Sequence, residues 1–439
     1  MRSLVLALLV LVISVYIFES GYHSHQPLHI HVHWMAPFMS GGGYGSEAIA
    51  TVAAMHDNWV KRDDLVSLQI SHHGDSINQA FIRGLPSETS QLLQNLANPP
   101  DQKDNSKLKI SICHSEPGAW HPANYMTKQC PPPDFIDKAD ANATYYKIGR
   151  TMFETDTLPS GWAERCNKMD EIWVPAEFHM EIFRNGGVAA EKLFKIPEPV
   201  NTEEFNAKRV QPLDLSEFIS MEFGAKPTNA SHTYRFLSVF KWETRKGWDI
   251  LIEAYLKAFK DTESEVSLYL LTQPYHNEPN YIKHIQNFLE EKLPEMGKDL
   301  NQLPHVAFIQ YPLPQSMLPR LYRSVNAFVL PSRGEGWGRP HIEAMSMGLP
   351  TIATNWSGNL EFMKPWNSYL IKVESMTEIT SGAFSGHHWA NPSVSHLMEL
   401  LRHVFKNPKE AKSIGRIGEN YVRTLYTPAR VASMIEDRV

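Results

Sequence analysis

The sequence predicts an α/β fold made of two open, mostly parallel sheets in separate domains, and three observations carry that expectation. Apolar runs of strand length alternate with helix-length segments through both halves of the chain, the pattern that builds parallel sheets. A polar stretch punctuated by prolines, from Pro197 to about Ala230, divides the two series. A length of 439 residues also exceeds what one hydrophobic core usually serves, and 42% hydrophobic residues with 11% aromatics can fill two.

The first series opens with a strand over His29–Trp34, where polar and apolar residues alternate. Gly41-Gly42-Gly43-Tyr44-Gly45-Ser46 then forms a glycine loop before a helix over Glu47–His56. Further strands are expected at Leu65–Ile70, Leu108–Cys113, Glu171–Val174 and Lys192–Ile196, with proline-rich Pro117–Asp134 as a long surface loop. The second series places strands at Tyr234–Phe240, Val266–Leu271, Val306–Ile309, Ala327–Leu330 and Thr351–Ala353. Its helices fall near Gly247–Phe259, Tyr281–Glu291, Met317–Ser324 and Pro340–Met347. The expected division is a membrane-directed segment over 1–20, a first domain over 21–200 and a connection over 201–230. A second domain follows over 231–415, then a C-terminal helical segment over 416–439.

Composition narrows the functional classes. A formal charge of −6 and a pI near 6.4, with dispersed cations, leave no basic footprint for nucleic acid. Cys113, Cys130 and Cys166 lack a C-x-x-C spacing, so no structural zinc site is expected, while one disulfide with one thiol left over remains open. His23, His25, His29, His31 and His33 alternate along one stretch, but like-facing histidines on a flat strand converge poorly on a tetrahedral ion, and no metal is expected. Arg2 followed by the apolar run Leu4–Phe18, with a poor cleavage pattern, reads as a signal anchor holding a lumenal domain on an endoplasmic reticulum or Golgi membrane. The alternative is a cleaved signal peptide on a secreted or lumenal soluble protein.

The most informative segment is Arg333–Pro350. Ala327–Leu330 is a buried strand, Gly334, Gly336 and Gly338 are expected to let backbone amides approach a ligand, and Pro340 suits the first turn of a helix. Gly348-Leu349-Pro350 stops that helix. Glu335 on the loop and Glu343 one turn into the helix, eight positions apart, then face one cleft at the carboxyl ends of the strands. An anion is expected at the helix N-terminus, leaving the carboxylates free to accept hydrogen bonds from hydroxyls of a ribose or hexose.

This segment resembles the Glu-x7-Glu signature of retaining glycosyltransferases of the GT-B fold, most closely glycosyltransferase family 4. Pro350–Thr354 with Ser357–Phe362 is similar to the next strand and Gly-rich loop of that family, and Phe240–Gly247 to its phosphate-binding strand and loop. The resemblance runs from about Phe236 to Phe362 and more faintly over Asn391–Arg430. It implies two Rossmann-like doubly wound domains facing a central cleft, with the donor held by the second. Lys241 and Lys246 would neutralise the donor diphosphate, with Arg245 as a competing cation. Glu335, Gly336, Trp337 and Gly338 would hold the donor sugar, and Glu343 the nucleotide ribose. His114, followed by Ser115-Glu116-Pro117, resembles the first-domain histidine that reaches that sugar, and Gly41, Gly42 and Gly43 could offer amides to the diphosphate. Trp337 departs from the family's usual phenylalanine, and Gln310-Tyr311 replaces its glycine.

The reaction so implied is retaining transfer of a hexose-type sugar from a nucleotide-diphosphate sugar to a hydroxyl acceptor. Glu335, Lys246 and His114 are the expected catalytic residues, and neither metal nor cofactor is required. The donor is the expected partner, with an unidentified hydroxyl acceptor. The competing readings are a nucleotide-sugar epimerase and a non-catalytic nucleotide-sugar-binding protein of the same fold.

Overall fold

The computed structural model describes residues 29–60, 66–74, 76–99, 106–138, 140–229, 232–261, 265–274, 281–297, 299–309 and 312–439. The apolar run Leu4–Phe18, the histidines His23 and His25, and the pair Gln310-Tyr311 lie outside them. Among the described residues no helix is long and apolar enough to cross a membrane.

Six strands, β1 (Ile30–Ala36), β2 (Val66–His72), β3 (Leu108–His114), β4 (Thr144–Arg150), β5 (Glu171–Val174) and β6 (Leu193–Lys195), form a wholly parallel sheet in the order β2-β1-β3-β4-β5-β6. Alternation along β1 decides its faces. Val32, Trp34 and Ala36 enter one apolar cluster with Val52 and Met55 of helix α1 (Gly43–Met55), while His31 and His33 point the other way to Ser67 and Ser71.

The second sheet is β13-β12-β11-β8-β9-β10-β7. Its members are β7 (Ile219–Phe223), β8 (Tyr234–Lys241), β9 (Val266–Gln273), β10 (His305–Ile309), β11 (Ala327–Leu330), β12 (Thr351–Thr354) and β13 (Tyr369–Ile371). Strands β9 to β12 are buried almost throughout, which matches their continuous apolar runs and a sheet covered on both faces. Helices α2 (Trp248–Phe259) and α3 (Arg339–Ser346) follow β8 and β11. The residue before α2 is Gly247, at φ 64°, where a Cβ would fall 2.1 Å from the Pro331 carbonyl oxygen, so both the turn and the packing require glycine.

Four features depart from the expected layout. Strand β4 was not expected, because Tyr145-Tyr146-Lys147 hides the alternation and Arg150 ends the strand, yet it lies inside the first sheet. The Asn201–Ala230 connection contributes β7, which pairs antiparallel with β10 and makes the second sheet mixed. A hairpin, β14 (Val373–Glu378) with β15 (His388–Pro392), was also unread. The Pro117–Asp134 loop is pinned rather than free on the surface: Trp120 is fully buried and Cys113 is bonded to Cys130, leaving Cys166 as the buried free thiol.

The domains are stitched together. The hairpin reaches the loop after β4, where His388 N–H donates to Asp156 at 2.7 Å and Phe153 packs edge-on against Phe384. Helices α4 (Val394–Lys406) and α5 (Pro408–Leu425) cover the second sheet, and the 415/416 division falls inside α5. The final helix α6 (Pro428–Glu436) returns to the first domain, where Val431, Ala432 and Ile435 join the α1 cluster. The first crossing meets the second where Val200 N–H donates to the Tyr426 carbonyl at 2.9 Å.

Replacing Cys113 and Cys130 by serine should lower stability by about 3 kcal/mol, because the bridge closes a short loop and constrains the unfolded chain. Denaturant unfolding of the double variant checks this, and an unchanged midpoint would refute it.

Candidate functional site

Both sheets reverse direction once. In the first, the chain steps from β1 outward to β2 and then to β3 on the other side of β1; in the second it runs β8-β9-β10 and returns to β11 beside β8. Open α/β sheets bind ligands at the carboxyl ends of strands at such reversals. Lys241 ends β8, Arg245 and Lys246 follow it, and Glu335 follows β11. The loop with Gly41 and Gly42 follows β1, and His114 ends β3. The two reversals meet: a Cβ on Gly42 would stand 4.0 Å from Lys241 Nζ.

At the centre Lys246 Nζ donates to both oxygens of Glu335, at 2.7 and 2.8 Å. Arg245 lies 3.6 Å from the same carboxylate, contacts Glu243 at 2.7 Å and stands 3.7 Å from Glu154 of the first domain. The Glu335 amide donates to Ser357 Oγ at 2.9 Å and its carbonyl accepts from Gly358 at 3.0 Å, so the loop after β12 fixes its backbone. Burial pushes the Glu335 carboxyl up, but Lys246 and then Arg245 outweigh it and hold it near about 2. Burial conversely lowers the Lys241 ammonium, against the opposing pull of Glu243.

Glu343, on α3, is also buried. Tyr322 donates a hydrogen bond to it at 3.1 Å and Arg339 lies 3.8 Å away, yet desolvation dominates and raises the carboxyl to about 7. Near neutral pH this group therefore exchanges between charged and neutral forms, unlike Glu335.

The structure assigns several expected residues to other surroundings. His114 is fully buried: Nδ1 accepts from Trp34 Nε1 at 3.1 Å and Nε2 lies 2.9 Å from Glu47, so both ring nitrogens are engaged inside the first domain. Trp337 turns its ring into the core against Phe362 and Tyr426. Gly43 belongs to the first turn of α1 rather than to the loop. Gly334 is required by packing across the cleft, since a Cβ would come within 2.1 Å of the Glu154 carbonyl oxygen; one on Gly336 would meet the Met152 side chain, with Sδ at 2.6 Å. Gly338, at φ 96°, sets the entry to α3.

Sequence reasoning missed Glu47, Arg150, Glu154, Glu198 and Arg339. Arg150 donates through Nε to Glu47 at 2.8 Å and also to the Ile196 carbonyl, and Arg339 reaches Glu198 at 3.5 Å. The available signal was a charge inside an apolar context, as with Glu47 and Arg150; for Glu198 and Arg339, 141 positions apart, there was none. Among the described residues no group of three or more His, Cys, Asp or Glu side chains is arranged to hold a metal ion.

Residues 222–421 match the family model described as glycosyl transferases group 1. Mannosylfructose-phosphate synthase of Agrobacterium fabrum is 34% identical over 122 residues, 28% of this chain and 25% of that protein. Spore coat protein SA of Bacillus subtilis is 40% identical over 94 residues, 21% of this chain and 22% of that protein. The matched segments thus span about a quarter of these curated relatives. The crystal structure of Anabaena HepE in complex with UDP and glucose superposes with a TM-score of 0.61 at 12% identity, over 93% of this chain and 99% of that one. Sucrose-phosphate synthase from Thermosynechococcus elongatus gives 0.57 at 15%, over 93% and 98%. With the two facing parallel-rich sheets, these likenesses show a GT-B fold of two Rossmann-like domains.

Removing the Lys246 ammonium should leave Glu335 buried beside Arg245 alone. Lys246→Ala should therefore lose about 3 kcal/mol of stability at pH 7. In the wild type the Glu335 pKa is depressed, so its contribution is present above the unfolded carboxylate value and lost as pH falls toward about 2. In the variant the Glu335 carboxyl moves up toward its unfolded value, so the acid-induced loss should be smaller and complete at higher pH, which denaturation between pH 2 and 7 would detect.

Proposed function

We propose that the protein is a retaining glycosyltransferase that moves a hexose-type sugar from a nucleotide-diphosphate sugar to a hydroxyl acceptor, without a divalent metal. The observation that carries this reading is the Lys246–Glu335 pair, flanked by Arg245 and near Lys241, at the meeting of both sheet reversals. The family match over 222–421 adds to it, as does the UDP and glucose bound by the similarly folded HepE.

Breaking a glycosidic bond to a diphosphate puts negative charge on the leaving oxygens and positive charge on the anomeric carbon. Lys246 and Lys241 would take the first, giving Lys246 a new anionic partner in place of Glu335. The freed carboxylate, still facing Arg245 at 3.6 Å, would accept the sugar's hydroxyls and face the developing positive charge. Glu343 would hold the ribose. The leaving diphosphate would take the acceptor's proton on the same face, so configuration is kept. His114 enters as a positioning group, since its ring is fixed between Trp34 and Glu47. The buried Cys113–Cys130 bond supports an oxidising compartment, in keeping with a lumenal domain behind an N-terminal anchor.

The test is release of nucleoside diphosphate from a panel of UDP- and GDP-hexoses, with and without sugar acceptors and chelator. Glu335→Gln should lower kcat by about 100-fold or more while nucleotide affinity stays within a few-fold. Turnover unchanged in that variant would overturn the role of Glu335, and loss of activity on chelation would overturn the metal-free reading. An anomerically inverted product would remove retention.

A further inference from the structure

Arg339 is the first residue of α3 and faces both halves of the molecule. Its guanidinium stands 3.5 Å from Glu198, 3.5 Å from the Pro199 carbonyl and 3.8 Å from Glu343. None of these is a close bond, so one cation is shared between a carboxylate on the interdomain crossing and the carboxylate of the ribose site. Glu198 and Glu343 are 1% and 7% exposed, and such buried acids depend on the cation they share.

The surrounding charges are few. Tyr322 contacts Glu343 from the preceding helix, and Glu204 of the crossing segment faces both Glu343 and Arg339. On the far side, Glu198 faces Glu47 and Arg150, with His114 on Glu47. A ligand hydroxyl pair that engages Glu343, or a rotation that moves Glu198, must therefore change how Arg339 is divided.

We propose that Arg339 is a positioning residue that couples nucleotide occupancy at Glu343 to the setting of the two domains at Glu198-Pro199. This rests on the reading of Glu343 as the ribose-binding carboxylate. Nucleotide that recruits the ionised form of Glu343 draws Arg339 toward it, and the crossing segment, losing part of its partner, shifts. Burial sets the Glu343 carboxyl near about 7 against the pull of Arg339, so loss of that cation raises it further and keeps the group neutral at pH 7.

The experiment is UDP and GDP binding by calorimetry to the full chain at pH 6.0, 7.0 and 8.5. Wild-type affinity should fall as pH drops through about 7. Arg339→Met should bind about fivefold more weakly at pH 7, the effect of a rise of about one unit in pKa, and recover at pH 8.5. Burial, and then Glu47, raise the Glu198 carboxyl well above its ordinary value, so it is its oxygen rather than its charge that holds Arg339; Glu198→Ala, which removes that acceptor, should move the profile the other way, keeping nucleotide bound at lower pH, because Arg339 is then released to Glu343. Arg339→Met profiles that parallel wild type at every pH would overturn the proposal. A second measurement needs no ligand: Arg339→Met should lower Tm in the wild-type background and leave it unchanged in a Glu198→Ala/Glu343→Gln background. Equal losses in both backgrounds would also overturn it. Should neither UDP nor GDP bind the wild type, the transferase reading fails, and the melting comparison alone decides whether Arg339 ties the two carboxylates.

Discussion

The interior pair Glu47–Arg150 ties together the elements that frame the cleft side of the first domain. Two charges taken out of water must satisfy one another and their remaining hydrogen-bonding capacity. Glu47 does so with Arg150 and His114, and Arg150 with Glu47 and the Ile196 carbonyl. One network thereby fixes the first helix, the ends of β3 and β4 and the start of the interdomain crossing. It accounts for a histidine at the mouth of the cleft that cannot swing into it, and burial of Glu47 fails to neutralise it because both partners hold the carboxyl near about 2.

Against this scaffold, the second domain presents charges that are paired but exchangeable. Lys246 and Glu335 satisfy each other, and in the proposed reaction a diphosphate and a sugar would give each of them another partner. This resolves an apparent conflict, since a site for a dianionic leaving group built from bare cations would be strained by self-repulsion. The glycines around Glu335 make the same arrangement possible sterically, because Gly334 and Gly336 let the first domain come up against the loop.

The sequence made the second sheet legible because β9, β10, β11 and β12 are apolar on both faces, and the Glu335 loop because glycine, proline and carboxylate positions coincide there. Strand β4 was illegible because its inward charge, Arg150, is balanced by Glu47, 103 positions away. Strand β7 was hidden by being a half-buried edge, and hairpin β14–β15 because most of β14 faces water. Trp337 and His114 show the same limit at the site. Their places in the motifs suggested ligand contact, through the backbone amide for Trp337, whereas it takes tertiary neighbours to show that one ring completes an aromatic cluster and the other a buried polar network.

The chain passes between the domains twice, and the two passages are bonded to each other through Val200 and Tyr426. A single covalent tether would allow the lobes to twist freely about it. A doubled tether resists torsion and leaves bending as the soft coordinate, so the lobes should open and shut like a book along one axle, bringing the same edges back into register on every cycle.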